Sequence, residues 1–202
     1  MNINTQIMFA TPIGITTLPQ ELCDIFKPLK GQVQTNASTD PIYFDVLKDF
    51  PELKKEITNV FTKWVNNTYN YPDQKWKMLT NWITDNPDGT PMRLHRHYNC
   101  SFSAVLYFDA IKNGEGNLIL ENPVDNSDFF PQNSHSTIFG NTEYTCPLFE
   151  RLLIFFPSKI YHMYLGYKPS KKLRRSFACN FAPIGQYGSA DSYIDTNWLH
   201  HD

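Results

Sequence analysis

His95 and His97 stand one residue apart in the stretch "RLHRHYNCSFSAVLYFD". A neutral imidazole is a good ligand for iron, zinc or copper. On extended backbone, residues two apart point to the same side, so this pair could grip one ion. A useful metal site needs at least one more donor, and a lone H-x-H is also compatible with two solvated surface histidines. The next candidate is His162, which follows the apolar run "LLIFFP" and a Pro-Ser turn. Its plain alternative is an ordinary surface histidine. Beyond it lies "LRRSFACNF", where alternation puts Arg174, Ser176, Ala178 and Asn180 on one face and Arg175, Phe177, Cys179 and Phe181 on the other. Arginine offers a carboxylate two parallel N–H donors, and a serine hydroxyl can add a third. If the Arg174 face turns inward, it requires an anionic guest. If it turns outward, it is a solvated edge.

These residues sit among short β-like runs. "KWKMLTNWIT", "SFSAVLYFD", "GNLILEN", "STIFG", "LLIFFP" and "LRRSFACNFAP" are separated by turn signals such as "NPDGTP", "KNGEG" and "NPVDNS". Many short strands with irregular connections suggest an antiparallel sandwich or barrel. Upstream the texture differs. "IMFATPIGITTL" reads as a strand broken by Pro12, and "PQELCDIFKPLKG" as a short helix ending at Gly31. The clearest helix is "DFPELKKEITNVFTKWVNNTY". Here Asp49 is the expected N-cap, Glu52 its capping-box partner, and Pro51 lies in the first turn. Leu53, Ile57, Val60, Phe61, Trp64 and Val65 share one face, which must pack on a sheet.

With 202 residues, the chain is long enough for one domain with a full core. A formal net charge of -2 leaves no electrostatic footprint for nucleic acid or an anionic membrane. No apolar run reaches the length of a membrane span, and the first residues lack the pattern of a secretion signal. Cys23, Cys100, Cys146 and Cys179 are scattered without a C-x-x-C and are expected to be reduced thiols in a cytosolic protein. There is no internal repeat.

The motifs come in a telling order: H-x-H at His95 and His97, then "SFSAVLYFD", then "GNLIL", then "IFFPS" with His162 four residues on, then R-x-S-x-x-x-N from Arg174 to Asn180. This order resembles the 2-oxoglutarate- and iron(II)-dependent oxygenases, in a subfamily common in cyanobacterial viruses and marine bacteria and more distantly similar to prolyl 4-hydroxylases. "NW" at Asn81 and Trp82, "FATPI" and the "FPELKKEI" helix also look like that subfamily, so the resemblance covers most of the chain. It implies a mainly β (α+β) fold, a double-stranded β-helix or jelly roll with N-terminal helices packed on one sheet. It implies one domain over residues 1–202, with about 1–73 a helical leader and about 74–185 the jelly-roll core. It implies iron(II) on His95, His97 and His162, and 2-oxoglutarate as co-substrate gripped by Arg174 and Ser176. Tyr107 falls where related hydroxylases place a tyrosine on the same carboxylate, and Asn180 and Asn81 are further candidates for lining the pocket. The implied location is the cytoplasm, a host's if the chain is viral.

The departure from the wider superfamily is His97, where Asp or Glu completes a two-histidine, one-carboxylate set. Three imidazoles would leave the metal's charge uncompensated. Glu121, or the more distant Asp109, stands as an alternative second ligand. The expected activity is an oxygenase, a hydroxylase of unknown substrate, that couples oxidative decarboxylation of 2-oxoglutarate to substrate oxidation with O2. The alternatives are a non-catalytic jelly-roll binding or virion module, and a cupin-like three-histidine metalloenzyme without an oxoacid. The second of these leaves Arg174 unexplained. The turn-rich residues 125–147, with His135 and Tyr144, are expected at the rim of the site mouth. His200 and His201 read as a solvated terminus.

Overall fold

The computed structural model describes residues 10–33, 44–86, 91–109, 116–124, 140–166 and 174–200. Their elements are β1 (Gly14–Thr17), α1 (Gln20–Phe26), β2 (Gln32–Val33), α2 (Pro51–Tyr69), β3 (Lys75–Asn86), β4 (Phe102–Asp109), β5 (Gly116–Glu121), β6 (Glu143–Pro147), β7 (Leu152–Pro157), β8 (His162–Gly166), β9 (Arg174–Ile184), β10 (Gln186–Tyr187) and β11 (Ile194–Asp195). The structure is mostly β. A large sheet runs β1-β7-β4-β9-β3-β2, a small one runs β6-β5-β8, and β10 and β11 form a separate ribbon. All pairs are antiparallel except β2 with β3. The leader is therefore not purely helical, because β1 and β2 close the two edges of the large sheet.

The large sheet is buried on both faces. Along β4, Phe102, Ala104, Leu106 and Phe108 enter a core shared with the helices, while Val105 and Tyr107 enter a second core against the small sheet. This explains why β4 and β7 read as nearly continuous apolar runs rather than clean alternations. From α2, Leu53, Ile57, Phe61 and Val65 are buried, with Val60 and Trp64 packed partly against the same core. Each buried side chain of this size contributes roughly 1.5–3 kcal/mol. Phe61 anchors the stack, with its ring 3.9 Å from that of Phe181 and inclined by 8°.

Two local expectations are corrected. The N-cap of α2 is Phe50, without a side-chain cap, and the box from Asp49 to Glu52 does not form. Pro51 at the first helical position sets the start, and Phe50 spends its side chain on the core rather than on capping. The second correction is β6. "EYTCP" forms a strand on β5 rather than a loop, with Cys146 buried in the inter-sheet core. The expected "STIFG" strand, except Gly140, and His135 lie outside the described residues, as does His201. Tyr144 sits exposed on β6 and does not line the cavity described below.

Candidate metal centre and anion pocket

The segment before β4 is held in place by β8. Met92 N–H donates to Tyr164 O, and His97 N–H donates to Ser158 O. His95 and His162 exchange both of their backbone hydrogen bonds, at 3.0 and 2.8 Å. The segment thus runs antiparallel to β8 and brings its histidines against His162. Ligand nitrogens of His95, His97 and His162 all lie within 4.8 Å of one another. Among the described residues this is the group of His, Cys, Asp and Glu side chains arranged to hold a metal ion.

Carbonyl partners place the Nδ1 protons of two of the rings. His95 Nδ1 lies 2.7 Å from Arg93 O, and His162 Nδ1 lies 3.0 Å from Ile160 O. A carbonyl oxygen only accepts, so both Nδ1 atoms carry the proton and both Nε2 lone pairs are free. His97 Nδ1 lies 2.7 Å from Asn180 Oδ1 and 2.9 Å from Ser103 Oγ. Burial is the main reason that the pKa of His162 falls to about 3 and that of His97 to about 4, with the neighbouring His95 adding to both effects. Both rings are therefore neutral near pH 7, the state a ligand needs. Three imidazole nitrogen donors, each ring with its other nitrogen bonded, suit a divalent transition metal.

Glu121 is not part of this cluster. Leu118 and Leu120 point from β5 into the inter-sheet core, so Glu121 has the opposite parity, and its backbone N–H donates to Tyr161 O. Asp109 is likewise outside the cluster.

The histidines open onto a cavity of about 680 Å³. β9 contributes Arg174, Ser176, Ala178 and Asn180 to its wall, β4 contributes Val105 and Tyr107, β3 contributes Thr80, Trp82 and Thr84, and β8 contributes Tyr164. Arg174 is 8% exposed. Its guanidinium lies 3.7 Å from the Tyr164 ring centre and 5.8 Å from that of Tyr107. Among the described residues its N–H groups donate to Ser176 Oγ at 3.4 Å and to the Met92 sulfur at 3.7 Å. Its Nε is buried and unpaired. Burial works against its charge, and no carboxylate among the described residues pairs with it. A guanidinium with five N–H donors and so few acceptors is built for an anion that arrives from outside.

Asn81 is not brought to the cavity. Its Oδ1 accepts from Leu47 N–H at 2.9 Å and its Nδ2 donates to Asp45 at 2.7 Å, which fastens the segment before α2. The cause is the irregularity in β3 between Met78 and Asn81. Trp76 and Met78 face the helices, so strict alternation would send Asn81 to the cavity. The bulge reverses the parity and sends Thr80, Trp82 and Thr84 there instead. Asn180 lines the cavity, but its amide is committed to His97, Ser103 and Thr80. Tyr164 went unnoticed in the sequence, although its spacing of two from His162 on one strand was a usable signal.

No family model and no curated protein matches this chain. Solved structures do. A Pseudomonas putida prolyl-4-hydroxylase is 15% identical with a TM-score of 0.50, over 85% of each chain. HygX from Streptomyces hygroscopicus, solved with iron bound, is 11% identical with a TM-score of 0.54, over 86% of this chain and 82% of that one. SnoK, a non-heme alpha-ketoglutarate-dependent carbocyclase from nogalamycin biosynthesis, is 9% identical with a TM-score of 0.57, over 85% of this chain and 79% of that one. HygX has also been solved with nickel and 2-oxoglutarate. The chain therefore has the fold shared by these 2-oxoglutarate-dependent oxygenases.

Proposed function

We propose that this protein is an iron(II)- and 2-oxoglutarate-dependent oxygenase, acting as a hydroxylase. The observation that carries the reading is a buried arginine with no acid partner among the described residues, in the same cavity as three converging imidazoles. His95, His97 and His162 would hold the iron. Arg174, with Ser176 beside it, would bind the far carboxylate of 2-oxoglutarate, and the buried Tyr107 would flank it. The guanidinium rests on Tyr164, two residues along β8 from His162, a spacing of roughly 7 Å on a strand. That spacing suits a short dicarboxylate with one end at the histidines.

When bound, the iron supplies the redox chemistry that couples oxidative decarboxylation of 2-oxoglutarate to oxidation of a substrate by O2. The protein's own work is positional. Arg174 and Ser176 orient the oxoacid, the Nδ1 partners fix the imidazoles, and Trp82 packs beside His97 with ring centres 5.4 Å apart. Val105, Leu118 and Ala178 of the inter-sheet core give the cavity an apolar part of its wall.

We read the two sheets as a jelly roll within one domain, in which residues 1–73 support a core over residues 74–185. The viral subfamily rests on the order of the sequence motifs alone, and a cytoplasmic location rests on the free thiols. Among the described residues no helix is long and apolar enough to cross a membrane.

The test is anaerobic titration of 2-oxoglutarate into the iron(II)-loaded protein. A visible metal-to-ligand charge-transfer band that saturates at one equivalent is expected. Iron binding without a band would point to a metalloprotein that does not use the oxoacid, and failure to bind metal would point to a non-catalytic scaffold. Either result overturns the proposal.

A further inference from the structure

Behind His97 the side chains form a continuous chain of donors and acceptors. Asn180 Nδ2 donates to Thr80 Oγ1 at 2.8 Å, and its Oδ1 faces His97. That oxygen accepts from His97 Nδ1–H at 2.7 Å and from the Ser103 hydroxyl at 2.9 Å, which fills both of its lone pairs. Ser103 Oγ lies 2.8 Å from Ser158 Oγ, and the Cys100 thiol donates to Ser158 Oγ at 3.2 Å. With the Asn180 oxygen accepting, the protons run from Cys100 to Ser158, from Ser158 to Ser103 and from Ser103 to that oxygen, where the chain meets the proton of His97. Ser103, Ser158 and Asn180 are buried, so the bonds that join Ser103 to the other two operate away from water.

We infer that Asn180 is the positioning residue that makes position 97 a histidine site, holding its ring with Nδ1 protonated and Nε2 directed to the centre. A carboxylate at position 97 has no proton to give, so it would set one acceptor against another at the Asn180 oxygen. Asn180 could then be satisfied only by turning its amide and giving up Thr80. The chain is thus wired for a three-imidazole, carboxylate-free centre. This inference rests on the proposed function only in requiring that the imidazoles bind a metal.

The test titrates cobalt(II), without 2-oxoglutarate, into the metal-free parent, Asn180→Leu and Asn180→Asp, following the cobalt d–d absorption. Loss of the outer partner of a ligating histidine weakens metal binding by roughly 10–100-fold, and that is expected for Asn180→Leu. Asn180→Asp restores an acceptor for the same proton and should bind within a few-fold of the parent with the same band positions. A purely structural role would move the melting temperature of both metal-free variants without this rescue. Unchanged cobalt affinity in Asn180→Leu overturns the inference. Should that variant fail to fold, the long-range ¹H–¹⁵N spectrum of the metal-free parent near neutral pH decides instead: His97 must appear as the Nδ1–H tautomer, and the Nε2–H tautomer overturns it. A parent that takes up no cobalt overturns the metal centre itself, a result plainly distinct from a parent that binds while the leucine variant binds equally well.

Discussion

Arg174 and Arg175 are adjacent on β9 and face opposite sides of the large sheet. Arg174 lies in the cavity over the Tyr164 ring, whereas Arg175 donates to Asp85 at 2.8 Å and to the backbone oxygens of Lys27 and Leu29 at the end of α1. Arg174 has no acid partner among the described residues, whereas Arg175 is occupied with joining the leader to the sheet.

Their substitutions should therefore separate. Arg174→Ala should leave iron binding intact and weaken 2-oxoglutarate binding, because a charge-assisted contact to a buried carboxylate is worth about 2–5 kcal/mol when one partner is lost. That is on the order of thirty-fold or more in Kd, readable from the anaerobic absorption titration. Arg175→Ala should leave 2-oxoglutarate affinity nearly unchanged and lower the melting temperature. It strands a largely buried carboxylate, at a cost of about 3–5 kcal/mol. The reverse pattern would mean that β9 is shifted by one residue.

His95→Ala and His162→Ala should each abolish stoichiometric iron. They come from separate segments that pair through their backbones, and either loss leaves only two of the three donors. Metal analysis after anaerobic reconstitution and desalting checks this. Retention of one equivalent in either variant removes that residue from the ligand set.

His97→Ala, His97→Asp and Glu121→Ala, compared side by side, test the second ligand. His97→Ala should lose the metal and Glu121→Ala should keep it, because Glu121 lies on the other face of β5. His97→Asp should still bind iron, since a carboxylate is a competent donor, but more weakly than the parent because it is short and meets the Asn180 oxygen. If His97→Ala binds like the parent while Glu121→Ala does not, the ligand is Glu121.

Thiol reactivity should follow burial. Cys23, Cys146 and Cys179 are buried and Cys100 is half-buried, all of them free thiols. Burial pushes the Cys23 thiol up to about 11 and holds Cys179 well above the usual thiol range, so near pH 8 only about a thousandth of Cys23 is thiolate. Ellman's reagent should label Cys100 alone, and slowly, in the folded protein, and all four cysteines after denaturation. Rapid labelling of Cys23 or Cys179 would show that the helices do not cover the sheet as described.

Much of the site was legible because it obeys short-range rules. Alternation along β9 put Arg174 and Ser176 on one face and Arg175 on the other, and the spacing of His95 and His97 marked a pair on one side of extended backbone. The apolar stripe of α2 identified its buried face from sequence alone. Other features depend on contacts that no local pattern encodes. Asn81 points away from the cavity because of a bulge two residues upstream, and β6 forms because β5 offers it an edge to pair with. Alternation could say that Arg174 and Ser176 share a face, but whether that face turned inward depended on the second sheet closing over it. The partner of His97 is Asn180, separated from it by 83 positions, and their meeting depends on β4 and β9 lying side by side in register. Residue type and spacing determined which chemistry was possible, while strand pairing between distant segments decided which side chains met, since a hydrogen bond depends on distance in space and not along the chain.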